Sequence, residues 1–509
     1  MEDSGQAIAM PQVPSLLRLI RGRVLGWTFL ATAIVDAAMF AAPASAAGGG
    51  PLGILFGETE LPVQAPSGPS DLSSRQHLLG DMGGVRSAIQ PYGLSLGIIE
   101  TSEILGNPTG GIRLGAIYEG VTDLNLGFDM RTYFGWRGVF FARAYQIHGR
   151  GLSANDLDNL NTASGLEATR TTRLFELWYE QHIGDWLRIR VGQQSAGQEF
   201  IISSTAKLFV NGAFGWPTMP STDMPSGGPG YPLGTPAVRF RVDANEAPTF
   251  IAGLFDGNPV GPGIGNPQQR DLSGTAFRVN DGALALFETR YNPDNSPQNG
   301  TYRLGAWFNS ERFPSQNRAT NSVSLASPLS SGMPQLLGND YSVYGIVDQP
   351  LFQPKGSETG FIAFIRAMGA PGDRNLISFY GDCGLIYNGP FGRLGDTIGL
   401  AYGYAQIGNA GRLLDQDTAT ITGTNYPIRM RETVLETTYQ FRPHPVVAAA
   451  ARFPIHRQSR RRHPQSESAG SADRQRSDLW TTHDDHVLGD ATGARGSPHR
   501  PPIQRDELS

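Results

Sequence analysis

Arg173 to Gln193 reads RLFELWYEQHIGDWLRIRVGQ, two runs of alternating apolar and polar residues joined by a short turn, and few folds can accommodate it. In the first run Phe175, Leu177 and Tyr179 alternate with Glu176, Trp178 and Glu180; in the second, Leu187, Ile189 and Val191 alternate with Arg188 and Arg190. Ile183, Gly184, Asp185 and Trp186 supply the turn. Successive side chains of a strand point to opposite faces, so the two runs are neighbouring strands of one sheet. One face is wholly apolar and the other carries full charges and an indole. A soluble sheet would rest the apolar face on a core and offer the charged face to water. A membrane barrel would turn the apolar face, Phe175 included, to lipid and the charged face to a lumen.

Length and composition admit both. A chain of 509 residues makes several soluble domains or one large barrel, and 64 Gly with 36 Pro point to many turns rather than long helices. The net charge of -5 asks for no nucleic acid. A slightly negative mean hydropathy excludes a helical membrane protein but not a barrel, whose strands turn half their residues to a polar lumen. The single cysteine, Cys383, rules out an internal disulfide framework and a multi-Cys metal site, and reads as a small strand residue rather than a nucleophile.

Signatures of catalysis are absent: there is no GxSxG, HExxH or GxxxxGK[ST]. His148 and His182 lie among strand residues. Glu176 and Glu180 share a face but stand roughly 13 Å apart by strand rise, too far for either glycosidase geometry. The expectation is a non-enzyme with no cofactor and no metal.

The N-terminus speaks for export. Arg18, Arg21 and Arg23 form a basic patch, Val24 to Phe40 is mostly apolar, and Ala44-Ser45-Ala46 offers the small residues of a cleavage site, so residues 1–46 read as a signal peptide. Asp36 interrupts the apolar run, and Glu2 and Asp3 precede the basic patch, which makes Met10 a second candidate start. Residues 47–91 read as a flexible segment rich in Gly, Pro and Ser, with one short helix within Leu78 to Gln90.

From 92 to 445 the hairpin's pattern returns. Ala237 to Asp243 sets Val238, Phe240 and Val242 against Arg239, Arg241 and Asp243. Leu284 to Tyr291 sets Ala285, Phe287 and Thr289 against Leu286, Glu288 and Arg290, and Thr301 to Asn309 sets Tyr302, Leu304, Ala306 and Phe308 against Arg303, Trp307 and Asn309. Phe214 to Gly234, Asn258 to Asp271 and Pro314 to Asn339 read as long surface loops, any of which could fold inward. No sustained helical period interrupts this region.

These segments also resemble a family, the carbohydrate-selective porins of the OprB type. The resemblance is carried by LLGDMGGVR (Leu78 to Arg86), the strand from Gly138 to Gly149, LFELWYEQ (Leu174 to Gln181), LRIRVGQ (Leu187 to Gln193), YRLGAWF (Tyr302 to Phe308), DQPLF (Asp348 to Phe352) and GPFGR (Gly389 to Arg393). It implies an all-β protein, a transmembrane antiparallel barrel of about sixteen strands, passing glucose-like sugars passively across a Gram-negative outer membrane. Its partners would be mono- or oligosaccharides, outer-membrane lipid and the barrel-assembly machinery. Arg offers sugar hydroxyls a planar fork of donors, Glu offers acceptors, and an aromatic face stacks on a pyranose. The lumen candidates are therefore Glu176, Trp178, Glu180, Arg188, Arg190, Arg239, Arg241, Glu288, Arg290, Arg303 and Trp307. Beside this stands a blander reading, that they pair with one another across the wall. A soluble secreted or periplasmic β-rich sugar-binding protein is the alternative function.

The resemblance stops at Pro445. Residues 446–509 lose the alternation and turn rich in Arg, Ser, His, Pro and Asp, so the tail reads as aberrant, disordered and frame-shifted. Reading Val446 to His456 one base out of frame through permitted codons can give WWQLQPDFQYI, which alternates; Asp478 to Leu488 can give IFGLRTTTMF and a stop, ending on the Phe that such barrels present to their assembly machinery. As written, the barrel is expected to lack its closing strands.

Overall fold

The period-two segments fold as strands, each turning back on the last. Fourteen follow one another: β1 (Leu94–Asn107), β2 (Gly115–Asp129), β3 (Gly138–Gly149), β4 (Thr171–Ile183), β5 (Leu187–Gln194), β6 (Thr235–Asp243) and β7 (Thr249–Asp256), then β8 (Ala283–Tyr291), β9 (Thr301–Ala319), β10 (Pro334–Phe352), β11 (Gly360–Gly369), β12 (Ile377–Asn388), β13 (Thr397–Ile407) and β14 (Arg431–His444). Each pairs antiparallel with the next. The computed structural model describes residues 80–442 apart from 245–247, 294–298, 355–356 and 358, and the backbone alone for 28–29, 31–38, 443–444 and 447–458. The rest of the stretch read as an export signal, the segment read as a lead-in before residue 80 and the tail beyond Gln458 lie outside these residues. The short helix expected before the barrel is Val85–Ile89.

Connections differ at the two ends of the sheet. At one end they are short, as at 184–186, where Gly184 takes φ 59° and lets β4 fold straight back onto β5. At the other they run to 150–170, 195–234, 257–282 and 408–430. Pro314 to Asn339 is less of a loop than its composition suggests: β9 continues to Ala319 and β10 starts at Pro334, both strands 19 residues long. Pro314 sits between two register shifts of that hairpin, the kind of irregular position at which a residue without an N–H costs no ladder bond. A helix the sequence did not announce, Asn409–Thr422, lies in the 408–430 connection and stops at Gly423, φ 61°.

Along the strands, exposed side chains alternate with buried ones. Leu126, Phe140, Val191, Phe240, Leu254, Phe287, Leu304, Val343, Ile365 and Leu400 point outward and are exposed, an apolar outer surface that a water-soluble protein does not present. The core lies within the curve of the sheet. Phe200, Phe209, Phe214, Trp216 and Met219, all from the 195–234 connection, pack there with Leu286, Trp307, Ile346 and Phe364 from the wall.

The fourteen strands leave the sheet open, since β1 and β14 do not pair with each other. Two stretches of backbone lie in the gap: Val447–Gln458 runs beside β14, and Ala31–Ala38 lies between it and β1. The first of these begins the tail expected to carry no strand. The second is part of the apolar run read as an export signal. A strand edge presents a row of unpaired N–H and C=O groups, and these two segments of the same chain meet it.

One sequence expectation is overturned inside the opening hairpin. Arg143 pairs with Glu176 and Ala144 with Leu174, so Phe175 is the extra residue of a β-bulge. The bulge flips the alternation. Arg173 and Phe175 point inward before it, and Glu176, Trp178 and Glu180 point inward after it. Phe175 does not face lipid; its ring lies 4.7 Å from that of Tyr145 and 6.4 Å from that of Tyr231.

Candidate functional site: the charged interior and its inward loop

All eleven candidates lie on the inward face. The ladder then sets charges side by side: Glu180 stands opposite Arg190, which stands opposite Arg239. Glu180 receives both guanidinium groups at 2.9 Å, and His182 Nε2 lies 3.0 Å from it. Arg239 also reaches Glu199 of the inward loop at 2.7 Å. Arg190 lies over the Trp178 ring, 3.9 Å from its centroid, and the ring also stacks on Phe141 at 5.0 Å. Arg188 and Arg241, opposite each other in register, share Asp243 at 3.0 and 2.9 Å.

A second group forms on β8 to β10. Glu288 binds Arg290 at 2.6 Å, lies 3.8 Å from Arg303, and accepts the Tyr344 hydroxyl at 2.8 Å and the Ile201 N–H at 3.1 Å. Glu176 lies 3.5 Å from Arg143, which also binds Asp123 at 3.0 Å. Trp307 packs among the apolar residues of the interior. The candidates therefore pair extensively with one another, as the blander reading holds. Most are buried. Arg188 is the open one, its side chain 38% exposed.

Sequence reasoning missed how the interior is filled. The 195–234 connection runs into it and is held mainly through its backbone. Val210 and Asn211 donate their N–H groups to Glu436 at 2.8 and 3.0 Å, and Thr205 donates to Asp348 at 3.1 Å. Arg366, with no exposed surface, donates to the carbonyls of Ile201, Ala213, Phe214 and Gly215 at 2.8 to 3.1 Å and to Asp382. Tyr380 adds a bond to the Ala213 carbonyl at 3.0 Å. In return the loop's Asp223 accepts the Leu376 N–H at 2.9 Å, and burial pushes its carboxyl well up. The 150–170 connection is held likewise, Leu160 and Asn161 donating to Glu432 at 2.9 and 2.6 Å. A trace of this was present in RETVLETTYQF, whose Glu432 and Glu436 are four apart and so share a face.

Within the 150–170 connection, Glu167 accepts the Ser153 N–H and hydroxyl at 3.0 and 2.8 Å, and burial raises its carboxyl to about 7. Among the described residues no cluster of His, Cys, Asp or Glu could hold a metal.

An up-and-down antiparallel sheet with an apolar outside, charges within and a segment folded into its interior defines a β-barrel channel protein of the outer-membrane kind. Residues 113–451 match the carbohydrate-selective porins, OprB family, and the chain belongs to that family. It is thus a porin, a channel rather than an enzyme. Among solved structures, OprB of Pseudomonas putida, determined at high pH, is similar with a TM-score of 0.66 and 19% identity, over 76% of this chain and 100% of that one, and shares the fold. DcaP, an outer membrane channel of Acinetobacter baumannii, aligns with 84% of this chain and 96% of its own at 10% identity and a TM-score of 0.32. No curated protein matches the chain.

Proposed function

We propose that this porin passes glucose-like sugars by passive diffusion across the outer membrane of a Gram-negative bacterium, along a path lined by Arg, Glu and Trp. The observation that carries the reading is the Trp178–Arg190–Glu180–Arg239 group, which joins an aromatic face, donor forks and an acceptor on one stretch of wall. Because these charges satisfy each other, they offer sugar hydroxyls exchangeable rather than tight partners, and a channel needs weak sites. The open guanidinium of Arg188 meets the sugar first, with Arg241 beside it on the shared Asp243, and the paired group behind them supplies the exchangeable contacts. Export follows from a signal peptide cut after Ala46, and the reading frame is displaced beyond Pro445.

A planar bilayer decides the matter. The protein is expected to conduct ions, and added glucose to lower the current in a saturable way that Arg188→Ala with Arg241→Ala weakens about tenfold, a loss of ~1.4 kcal/mol. A detergent-independent, water-soluble monomer with no conductance would sink the proposal.

A further inference from the structure

At the end of the sheet where the long connections leave it, the inward loop meets the wall through three oxygen-bearing side chains from three separate segments. Asp223 is the last residue of the short helix Thr218–Asp223 in the 195–234 connection. Asp340 lies on β10, opposite Asn309 of β9. Asn375 belongs to the turn between β11 and β12. Hydrogen bonds tie them to one spot. Asn375 Nδ2 donates to Asp340 Oδ1 at 2.9 Å and to the Pro371 carbonyl at 3.0 Å. The next residue, Leu376, donates its N–H to Asp223 Oδ1 at 2.9 Å, and Ile377 donates to the same oxygen at 3.3 Å. The two carboxyls are near enough for the charge of Asp340 to bear on Asp223.

These bonds use one oxygen of each acid and the nitrogen of the amide. The oxygens left over, Asp223 Oδ2, Asp340 Oδ2 and Asn375 Oδ1, are buried and accept no hydrogen bond among the described residues. Asp340 and Asn375 have no exposed surface at all. Turning the amide over brings no relief, because Nδ2 already serves two acceptors where it stands. Arg374 carries the positive charge of this turn, but its guanidinium is committed to Asp373 at 2.9 Å and to the carbonyls of Gly338 and Asn339 at 2.8 and 2.7 Å. It acts on Asp340 through space alone.

Buried acceptors without donors destabilise a fold, and two buried carboxylates repel each other. A hard cation removes both penalties at once. Calcium takes about six to eight oxygens, drawn from carboxylates, amide and main-chain carbonyls and water, in a flexible geometry. Two acids and an amide are enough to begin such a shell, so the site needs no third acid, histidine or cysteine, and no cluster of those residue types marks it. Magnesium keeps its waters and demands an octahedron, which suits a tightly packed spot lined by protein less well.

We infer that Asp223, Asp340 and Asn375 are the side-chain ligands of a calcium site that clamps the inward loop to the wall. The ion joins three segments that no covalent link and no salt bridge joins, so the seat of the Thr218–Asp223 helix depends on it. Long connections of outer-membrane barrels lie outside the cell, and the site takes its ion from the external medium. Which solute the channel passes does not enter the argument.

The full chain, folded in detergent free of lipopolysaccharide and stripped with EGTA, is expected to bind one calcium ion in titration calorimetry, with a Kd of about 0.1–1 mM, the range of extracellular calcium modules. Asp223→Asn and Asp340→Asn each weaken binding at least tenfold, while the strand signal in circular dichroism stays that of the wild type. Asn375→Asp retains binding, and Glu311→Gln, an acid at the same end of the sheet, leaves it unchanged. Calcium also slows hydrogen exchange at the Leu376 and Ile377 amides. Absence of calcium binding by the wild type up to about 10 mM, binding that survives both Asn variants, or slowing of that exchange by acid and not by calcium would each overturn the inference.

Discussion

Arg366 shows how much one inward side chain can organise. Its guanidinium is spread over four loop carbonyls and Asp382, which leaves nothing for a solute. Replacing it by Gln is expected to release the 195–234 segment, raise single-channel conductance severalfold and weaken block by sugar. The same change leaves Asp382 buried beside a neutral group, at a cost of about 3–5 kcal/mol. Arg366→Met with Asp382→Leu therefore serves as the companion variant: it widens the channel with less loss of stability, and unchanged conductance in both would count against the anchoring role. Phe175 is the second case. Packed on Tyr145 and Tyr231, its replacement by Ala should cost about 3–5 kcal/mol in urea unfolding, where a lipid-facing Phe would cost far less. Its direction was not legible in the sequence, because a bulge is set by how two strands meet and leaves no mark on the alternation of either. The direction of Glu176, Trp178 and Glu180 was legible, since they lie on the far side of that bulge.

At the level of elements, strands were readable and the loops were not. Alternation is local and survives in any context, whereas a segment of Gly, Pro and Ser looks the same over a surface as inside a barrel. What distinguishes 195–234 is the set of wall carboxylates and Arg366 that receive it, drawn from β8, β10, β11 and β14. The 150–170 connection adds a pH dependence. Glu167 is raised from its ordinary 4.5 to about 7, so between those values the folded form holds a proton that the open form gives up. The connection is thus most firmly seated below about pH 4.5 and loosens as pH rises through about 7. Hydrogen exchange at Ser153 to Leu166, corrected for intrinsic rate, should show stronger protection at pH 5.5 than at pH 8, and Glu167→Gln should flatten the difference.

For the whole molecule, closure is the sensitive point. Cleavage after Ala46 would remove Ala31–Ala38 and leave β1 with an open edge, where each unpaired backbone group in lipid costs several kcal/mol. A chain read in the displaced frame past Pro445 brings alternating strands to that edge. It is expected to give a heat-modifiable band on SDS gels when assembled without residues 1–46, and the chain as written is expected to give none; equal behaviour of the two would remove the case for a displaced frame. The grip on the inward loop has a different consequence. Val210, Asn211, Thr205 and Ile201 are held by their amides, and residues 213–215 by their carbonyls. Mooring by main chain is indifferent to which side chains the moored segment bears. Relatives could therefore exchange what the loop shows a passing solute while its berth stays the same, so that discrimination evolves on an insert and the wall is left alone.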